Sequence, residues 1–177
     1  MNIKVLHIVG GASTNGAAKG AKILHDALIE LKVDSHLLND TPIKDFNFGQ
    51  NASTVNKTFS KNIISKFFIN LEKFLNFLFL YSPRETFTLG LFGFDITKLK
   101  QYNDADIIHI HWLSQGFIRI NSLSKVKKPV IWTMRDMWAF TGGSHYTMDF
   151  YEYEKSKLSK IIQNLKKKLY NKNFHFV

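Results

Sequence analysis

The chain has no cysteine, and its 177 residues include only three prolines. The missing cysteine excludes a disulfide framework, a thiolate metal site and a cysteine nucleophile, and it fits a cytoplasmic setting. Acidic side chains are scarce, 14 against 24 Lys and Arg, which sets the formal net charge at +10. Such an excess favours an anionic partner: a phosphorylated substrate, an anionic lipid surface or nucleic acid. Nucleic acid has the least support, because no zinc finger, RRM-type aromatic signature or helix-turn-helix spacing accompanies the lysines. No apolar run reaches the roughly 18–20 residues of a membrane span. The first ten residues lack the long apolar region and small-residue cleavage site of a secretory signal.

Against these gaps stands an excess of aromatics. A hydrophobic share of 45% is enough to build one ordinary domain core, and the aromatic surface of sixteen phenylalanines goes either into that core or onto a partner. Ile3 to Val9 reads as a buried strand, stopped by Gly10-Gly11. Ala17 to Leu31 reads as a helix with Ala17, Ala21, Leu24, Leu28 and Leu31 on one face, and Val33 to Leu38 as a second strand. This strand–turn–helix–strand order opens a βαβ unit. The expected fold is therefore α/β, a Rossmann-like open, mostly parallel sheet flanked by helices. Residues 41–61 read as a polar loop and residues 61–81 as a Phe-rich amphipathic helix ended by Ser82-Pro83. Further strands are expected at Ala105–His111 and Pro129–Thr133, with a short helical stretch at Ile120–Val126 between them. A basic helix over Glu152–Tyr170 leads to a strand beginning at Phe174, so the chain reads as stopping at a domain boundary.

Four places carry residues suited to chemistry. At Gly10, Gly11, Asn15, Gly16, Ala17 and Lys19, small residues at a helix start leave backbone N–H groups free for a phosphate or carboxylate. The spacing is not the dinucleotide fingerprint, and Asp40 falls in a loop rather than at the second strand's end, so a tight turn without ligand is the alternative. In Ile107-Ile-His-Ile-His-Trp112, strand alternation puts His109 and His111 on one face and Trp112 on the other. Two imidazoles at i and i+2 suit a metal, but no third ligand stands near them in sequence, and the expectation is no metal. His111, at the strand's carboxyl end, is the better functional candidate. In Trp132-Thr-Met-Arg-Asp-Met-Trp-Ala-Phe-Thr-Gly-Gly-Ser-His-Tyr146, aromatics beside Arg135, Asp136 and His145 suit sugar recognition. The alternative is an Arg–Asp pair capping a structural loop packed by Trp138 and Phe140. Finally, the Phe-rich helix either lies in a membrane interface or packs on the sheet. Phe77, Phe79 and Leu80 widen its apolar face, and the lysines of the last helix, Lys166 among them, read as a solvated face.

Taken together, Leu6-His-Ile-Val-Gly-Gly11, Asn15-Gly-Ala-Ala-Lys-Gly20, Ser82-Pro-Arg, Leu91-Phe-Gly-Phe94, Asp106-Ile-Ile-His-Ile-His-Trp112 and the Trp132–Tyr146 segment resemble the N-terminal domain of family-4 glycosyltransferases. These are bacterial GT-B enzymes of capsule, O-antigen and exopolysaccharide assembly. The resemblance covers nearly the whole chain. It implies two Rossmann-like domains facing a cleft, and a retaining, metal-independent transfer from a nucleotide-sugar to a glycan or lipid-linked acceptor, with no further cofactor. It implies that the glycine turn lies near the donor diphosphate. It further implies that His111, Arg135 and Asp136 serve catalysis, with Trp112, Trp138, Thr141, Gly142, Gly143 and His145 lining the acceptor side. Relatives usually carry His-Asp where this chain has Arg135-Asp136, and Arg cannot act as a base. The nucleotide-sugar site is expected in a C-terminal donor domain or partner chain outside these residues. The implied location is cytoplasmic, peripheral on the inner membrane face. The alternative is a non-catalytic or split-subunit module that recruits a catalytic partner to the membrane.

Overall fold

The structure, a computed structural model, describes residues 3–41, 47–55, 59–80, 86–113, 115–146, 157–170 and 173–177. Strand β1 (Lys4–Val9) leads into α1 (Gly16–Glu30), β2 (Asp34–Asn39), the short β3 (Ala52–Thr54) and the long α2 (Phe59–Leu80). A 3₁₀ turn (Ile96–Lys98) and α3 (Lys100–Asp104) precede β4 (Ile107–Trp112). A second 3₁₀ segment (Ile120–Lys125), β5 (Val130–Trp132), α4 (Lys157–Leu169) and β6 (Phe174–Phe176) follow. The strands form one six-stranded sheet of order β3-β2-β1-β4-β5-β6, every pairing parallel. This is the strand order of Rossmann-like doubly wound sheets, and its direction of winding reverses between β1 and β4.

Alternation sorts the central strands into two layers. Leu6, Ile8, Ile108 and Ile110 are buried on one face with Trp132 and Trp138. Each large side chain there contributes roughly 1.5–3 kcal/mol by leaving water. His7, His109 and His111 occupy the other face, where α1 packs and His25 meets His7 edge-on. The parallel register sets His7 of β1 beside His109 of β4.

Several expectations change here. The inner face of α1 is Ala18, Ala21 and His25, while Leu24 and Leu31 are exposed. Small residues let the helix backbone close on the sheet, and His25 is held by Ser35 Oγ at 2.7 Å and the Gln50 carbonyl at 2.9 Å. The polar loop expected over 41–61 contains β3, which pairs with β2 over only three positions and carries no periodicity to read. Ser82-Pro83 and the segment 147–156 lie outside the described residues, as do the side chains of Phe79 and Leu80.

Of the two outcomes open for α2, Phe67, Phe74 and Phe77 take the outward one, and three polar residues lie inside beside Phe68 and Leu75. Ser65, Glu72 and Asn76 are buried, whereas Ile63, Phe67, Phe74, Phe77 and Leu78 are more than half exposed. Asn76 Nδ2 donates to the Phe87 carbonyl at 2.9 Å, and Glu72 Oε1 accepts the Gly90 N–H at 2.9 Å. Burial raises the Glu72 carboxyl to about 7, against the pull of backbone N–H groups of the 89–92 segment. In α4, Lys166 departs from the expected solvated face. It is 1% exposed, its ammonium donates to the Trp138 carbonyl at 2.5 Å, and it stands 3.6 Å from the Trp138 ring centre.

Candidate functional site

Open α/β sheets bind ligands beyond the carboxyl ends of their strands, at the point where winding reverses. A cleft of about 560 Å³ occupies that place, lined by Asn15, Gly16, Ala17, Thr86, Trp112, Arg135 and Tyr146. Asn15–Ala17 follow β1, Trp112 ends β4, and Arg135 lies three residues past β5. A smaller hollow of about 360 Å³ at the opposite end is lined by Lys4, Asp34 and their neighbours, away from every residue singled out in the sequence.

The glycine turn is divided in its behaviour. Gly10 N–H donates to the Trp112 carbonyl at 2.8 Å, and Gly11 N–H to Asp40 Oδ1 at 2.7 Å. Both amides of the Gly-Gly pair are therefore committed within the protein, and a carboxylate already fills the position beside Gly11. Gly11 adopts φ +81°, which favours glycine, and a β-carbon there would also crowd Asn15 Nδ2 at 2.7 Å and Trp112 at 3.2 Å. What remains open is the first turn of α1. Asn15 precedes it in extended conformation without a side-chain capping bond. The N–H groups of Gly16, Ala17 and Ala18 have no intrahelical acceptor by helix geometry, and they carry the positive end of the helix dipole.

Arg135 completes this electropositive wall. Its guanidinium lies against Gly20 of α1, so close that a β-carbon on Gly20 would stand 2.7 Å from both terminal nitrogens. Its charge also reaches the histidine cluster beneath. Burial comes first in lowering His7, His109 and His111 to about 3, about 4 and about 2; neighbouring imidazoles add to it at His7 and His111, and Arg135 at His109 and His111. The three rings are neutral around pH 7. His7 Nδ1 and His111 Nε2 share a proton across 3.0 Å, His109 stacks on His111 at 4.1 Å, and His109 Nε2 meets Thr133 Oγ1 at 2.8 Å. His7 thus supplies the third imidazole that the sequence around β4 lacks. Only strand pairing could find it, because 102 positions separate His7 from His109.

The segment after Arg135 packs inward. Asp136 Oδ1 accepts the Trp138 N–H at 2.9 Å, and Asp136 Oδ2 accepts His145 Nδ1–H at 2.5 Å. The Trp112 indole N–H lies 3.2 Å from the same His145 nitrogen. With that nitrogen protonated toward the carboxylate, the indole contact is packing rather than a second bond. His145 Nε2 meets Thr88 Oγ1 at 2.9 Å, and the Trp138 indole donates to the Thr88 carbonyl at 2.6 Å. Thr141 Oγ1 donates to the Ser144 carbonyl at 2.6 Å, and Gly142 and Gly143 press against Ser159 and Phe87.

Of the residues singled out from the sequence, Asn15, Gly16, Ala17, Trp112 and Arg135 come together in the cleft. His111 is buried below it. Asp136, Trp138, Thr141, Gly142, Gly143 and His145 form the packed shoulder behind Arg135, and Lys19 sits exposed on the first turns of α1. Thr86 and Tyr146 join the lining without having been selected. Tyr146 closes the aromatic segment and could have been found there, whereas Thr86 carries no local signal. No family model, characterised protein or solved structure matches the chain.

Proposed function

We propose that the chain is the acceptor-side half of a family-4-like sugar transferase and that its cleft holds a phosphate-bearing sugar ligand. The carrying observation is the pairing of Arg135 with the open first turn of α1, in one cleft at the winding reversal. Backbone N–H groups and a guanidinium together favour phosphate oxygens, and the aromatic residues Trp112 and Tyr146 line the same cleft, which suits a sugar. On this reading the Gly10-Gly11 pair shapes the turn and the helix end binds the anion. Arg135 stays charged and cannot take a proton from an acceptor hydroxyl. His111 is neutral but buried with its Nε2 against His7. The chain therefore contributes positioning and charge stabilisation, and the departing diphosphate takes up the acceptor proton.

Calorimetry with nucleoside diphosphate sugars tests the cleft. Binding is expected to be weak, and Arg135→Gln is expected to weaken it further by roughly tenfold, the scale of one charge-assisted contact. Unchanged affinity in that variant would remove Arg135 from the site. Sugar transfer is expected only when a donor domain is supplied. Robust turnover by these 177 residues alone would overturn the half-enzyme reading.

The exposed apolar face of α2 favours a second element of function, attachment to an anionic membrane surface. Its outward phenylalanines are accompanied by exposed Lys66 and Lys73. That combination suits the headgroup boundary of a bilayer. Among the described residues no helix is long and apolar enough to cross a membrane. Flotation with vesicles containing anionic lipid is the direct check, and failure to float removes the membrane role.

A further inference from the structure

We propose that His7, His109 and His111 form a three-imidazole site for a divalent transition-metal ion, with zinc the best-suited occupant. One nitrogen from each ring lies within 4.8 Å of the others, and this is the one such grouping of potential ligands among the described residues. His7 Nδ1 and His111 Nε2 stand 3.0 Å apart. Two imidazole nitrogens on a tetrahedral zinc, at Zn–N distances of about 2.0–2.1 Å, are separated by about 3.3 Å. Replacing the shared proton by a metal therefore asks for a few tenths of an ångström at that pair. His109 has its Nε2 against the Thr133 hydroxyl at 2.8 Å, which leaves Nδ1 as its ligand atom. A hydrogen bond at the far nitrogen is what orients a metal-bound histidine and fixes its tautomer.

His7 Nε2 and His111 Nδ1 are buried and have no hydrogen-bond partner, on side chains that are 0% and 1% exposed. Two neutral imidazoles joined by one hydrogen bond leave a bare lone pair on the donor ring and an N–H on the acceptor ring. Whichever way the shared proton points, one buried lone pair has nothing to accept from. A metal at His7 Nδ1 and His111 Nε2 would leave N–H groups on His7 Nε2 and His111 Nδ1, so these stay unpartnered with or without it, and the geometry of the three rings carries the site. Neutral imidazole is also the form a metal binds, and among the described residues no carboxylate belongs to the group of three rings.

The framework is suited to the task. His109 and His111 project from one face of β4, and His7 projects beside them from β1. Two hydrogen-bonded central strands fix all three, so preorganisation is high. Three protein ligands leave a fourth position for water or an anion. Arg135, whose charge is felt by both His109 and His111, opposes a bare dication and favours an anionic fourth ligand. This inference does not depend on the transferase reading. It concerns the rings under the cleft, whatever the cleft accepts.

The test uses the full, tag-free chain, stripped with a chelator and titrated with Zn²⁺ alone. One equivalent per chain is expected by metal analysis. Co²⁺ in its place should give the visible absorption bands of a tetrahedral nitrogen-rich site. His109→Gln should weaken Zn²⁺ binding beyond the 10–100-fold that loss of an outer partner costs, while His175→Gln, an exposed histidine outside the cluster, should leave it unchanged. If His109→Gln does not fold, ring ¹⁵N shifts of the native chain decide: Zn²⁺ should move His7, His109 and His111 together. Less than one equivalent bound, equal losses in the two variants, or shifts confined to other histidines would each overturn the proposal.

Discussion

The guanidinium of Arg135 rests on Gly20, at the distance where a β-carbon would force it away: 2.7 Å to each terminal nitrogen. The absence of a side chain at position 20 therefore sets where the positive charge of the cleft stands. Gly20 lies inside α1, where glycine costs about 1 kcal/mol relative to alanine. A helix that tolerates this cost gains the close approach of Arg135 to its open first turn.

Gly20→Ala separates the two effects. The displaced atoms are the far end of a flexible side chain, so the fold should survive and even gain up to about 1 kcal/mol from helix propensity. Anion binding in the cleft should nevertheless weaken. The check is a urea melt beside calorimetry with a nucleoside diphosphate. Stability and affinity moving down together would show that Gly20 serves packing alone.

Gly142→Ala is the opposite case. A β-carbon at Gly142 would stand 1.9 Å from Ser159 Oγ and 2.3 Å from the Ser159 carbonyl oxygen. Backbone cannot rotate aside, so α4 must shift. The expected loss is about 1–3 kcal/mol or more, read from the denaturant midpoint. A neutral outcome would place α4 elsewhere.

The outward face of α2 makes a third prediction. Phe67, Phe74 and Phe77 are 61%, 56% and 71% exposed, so changing all three to Ser removes little core. Stability should stay within about 0.5 kcal/mol per site, as for ordinary surface substitutions. Attachment to anionic vesicles should be lost. A large drop in thermal midpoint would instead show that these rings are buried in the free protein.

The limits of reading the sequence can be traced through the same residues. The runs Val5–Val9 and Ile107–Trp112 are short, β-branched and bounded by turn residues or charges, and such runs announce buried parallel strands. Alternation also placed His109 and His111 together correctly. The sequence could not place His7 beside them, because register between distant strands is settled by the sheet as a whole. At α2 it left two outcomes open, a membrane-facing stripe or one packed on the sheet, and Phe67, Phe74 and Phe77 are exposed. What the stripe did not announce is the polar inner side, where Glu72 and Asn76 find backbone partners beside Phe68 and Leu75. Lys166 misled for a related reason, since the Trp138 carbonyl and ring that receive its charge come from a segment 28 residues away.

Protonation of the core sets a final prediction, best measured in the presence of a chelator. For His7, His109 and His111 the folded values lie below the ordinary 6.5, at about 3, 4 and 2. Their contribution to stability is fully present above 6.5. It is lost as pH falls from there through the folded values, because the unfolded chain binds protons that the buried rings refuse. Each ring can cost up to about 1.4 kcal/mol per pH unit in that window. Glu72 runs the other way: raised from 4.5 to about 7, it stabilises fully below 4.5 and loses that contribution as pH rises through 7. Between pH 6.5 and 4.5 three rings oppose one carboxyl, so the net effect of acidification is destabilising. Denaturant midpoints should therefore peak near neutral pH and fall steeply from pH 6.5 to 5. Replacing His109 by Gln should make that fall shallower by about one proton's worth of slope. A midpoint that is flat or rises over the same interval would mean that the rings are charged in the native state, and the cluster could not then be packed as described.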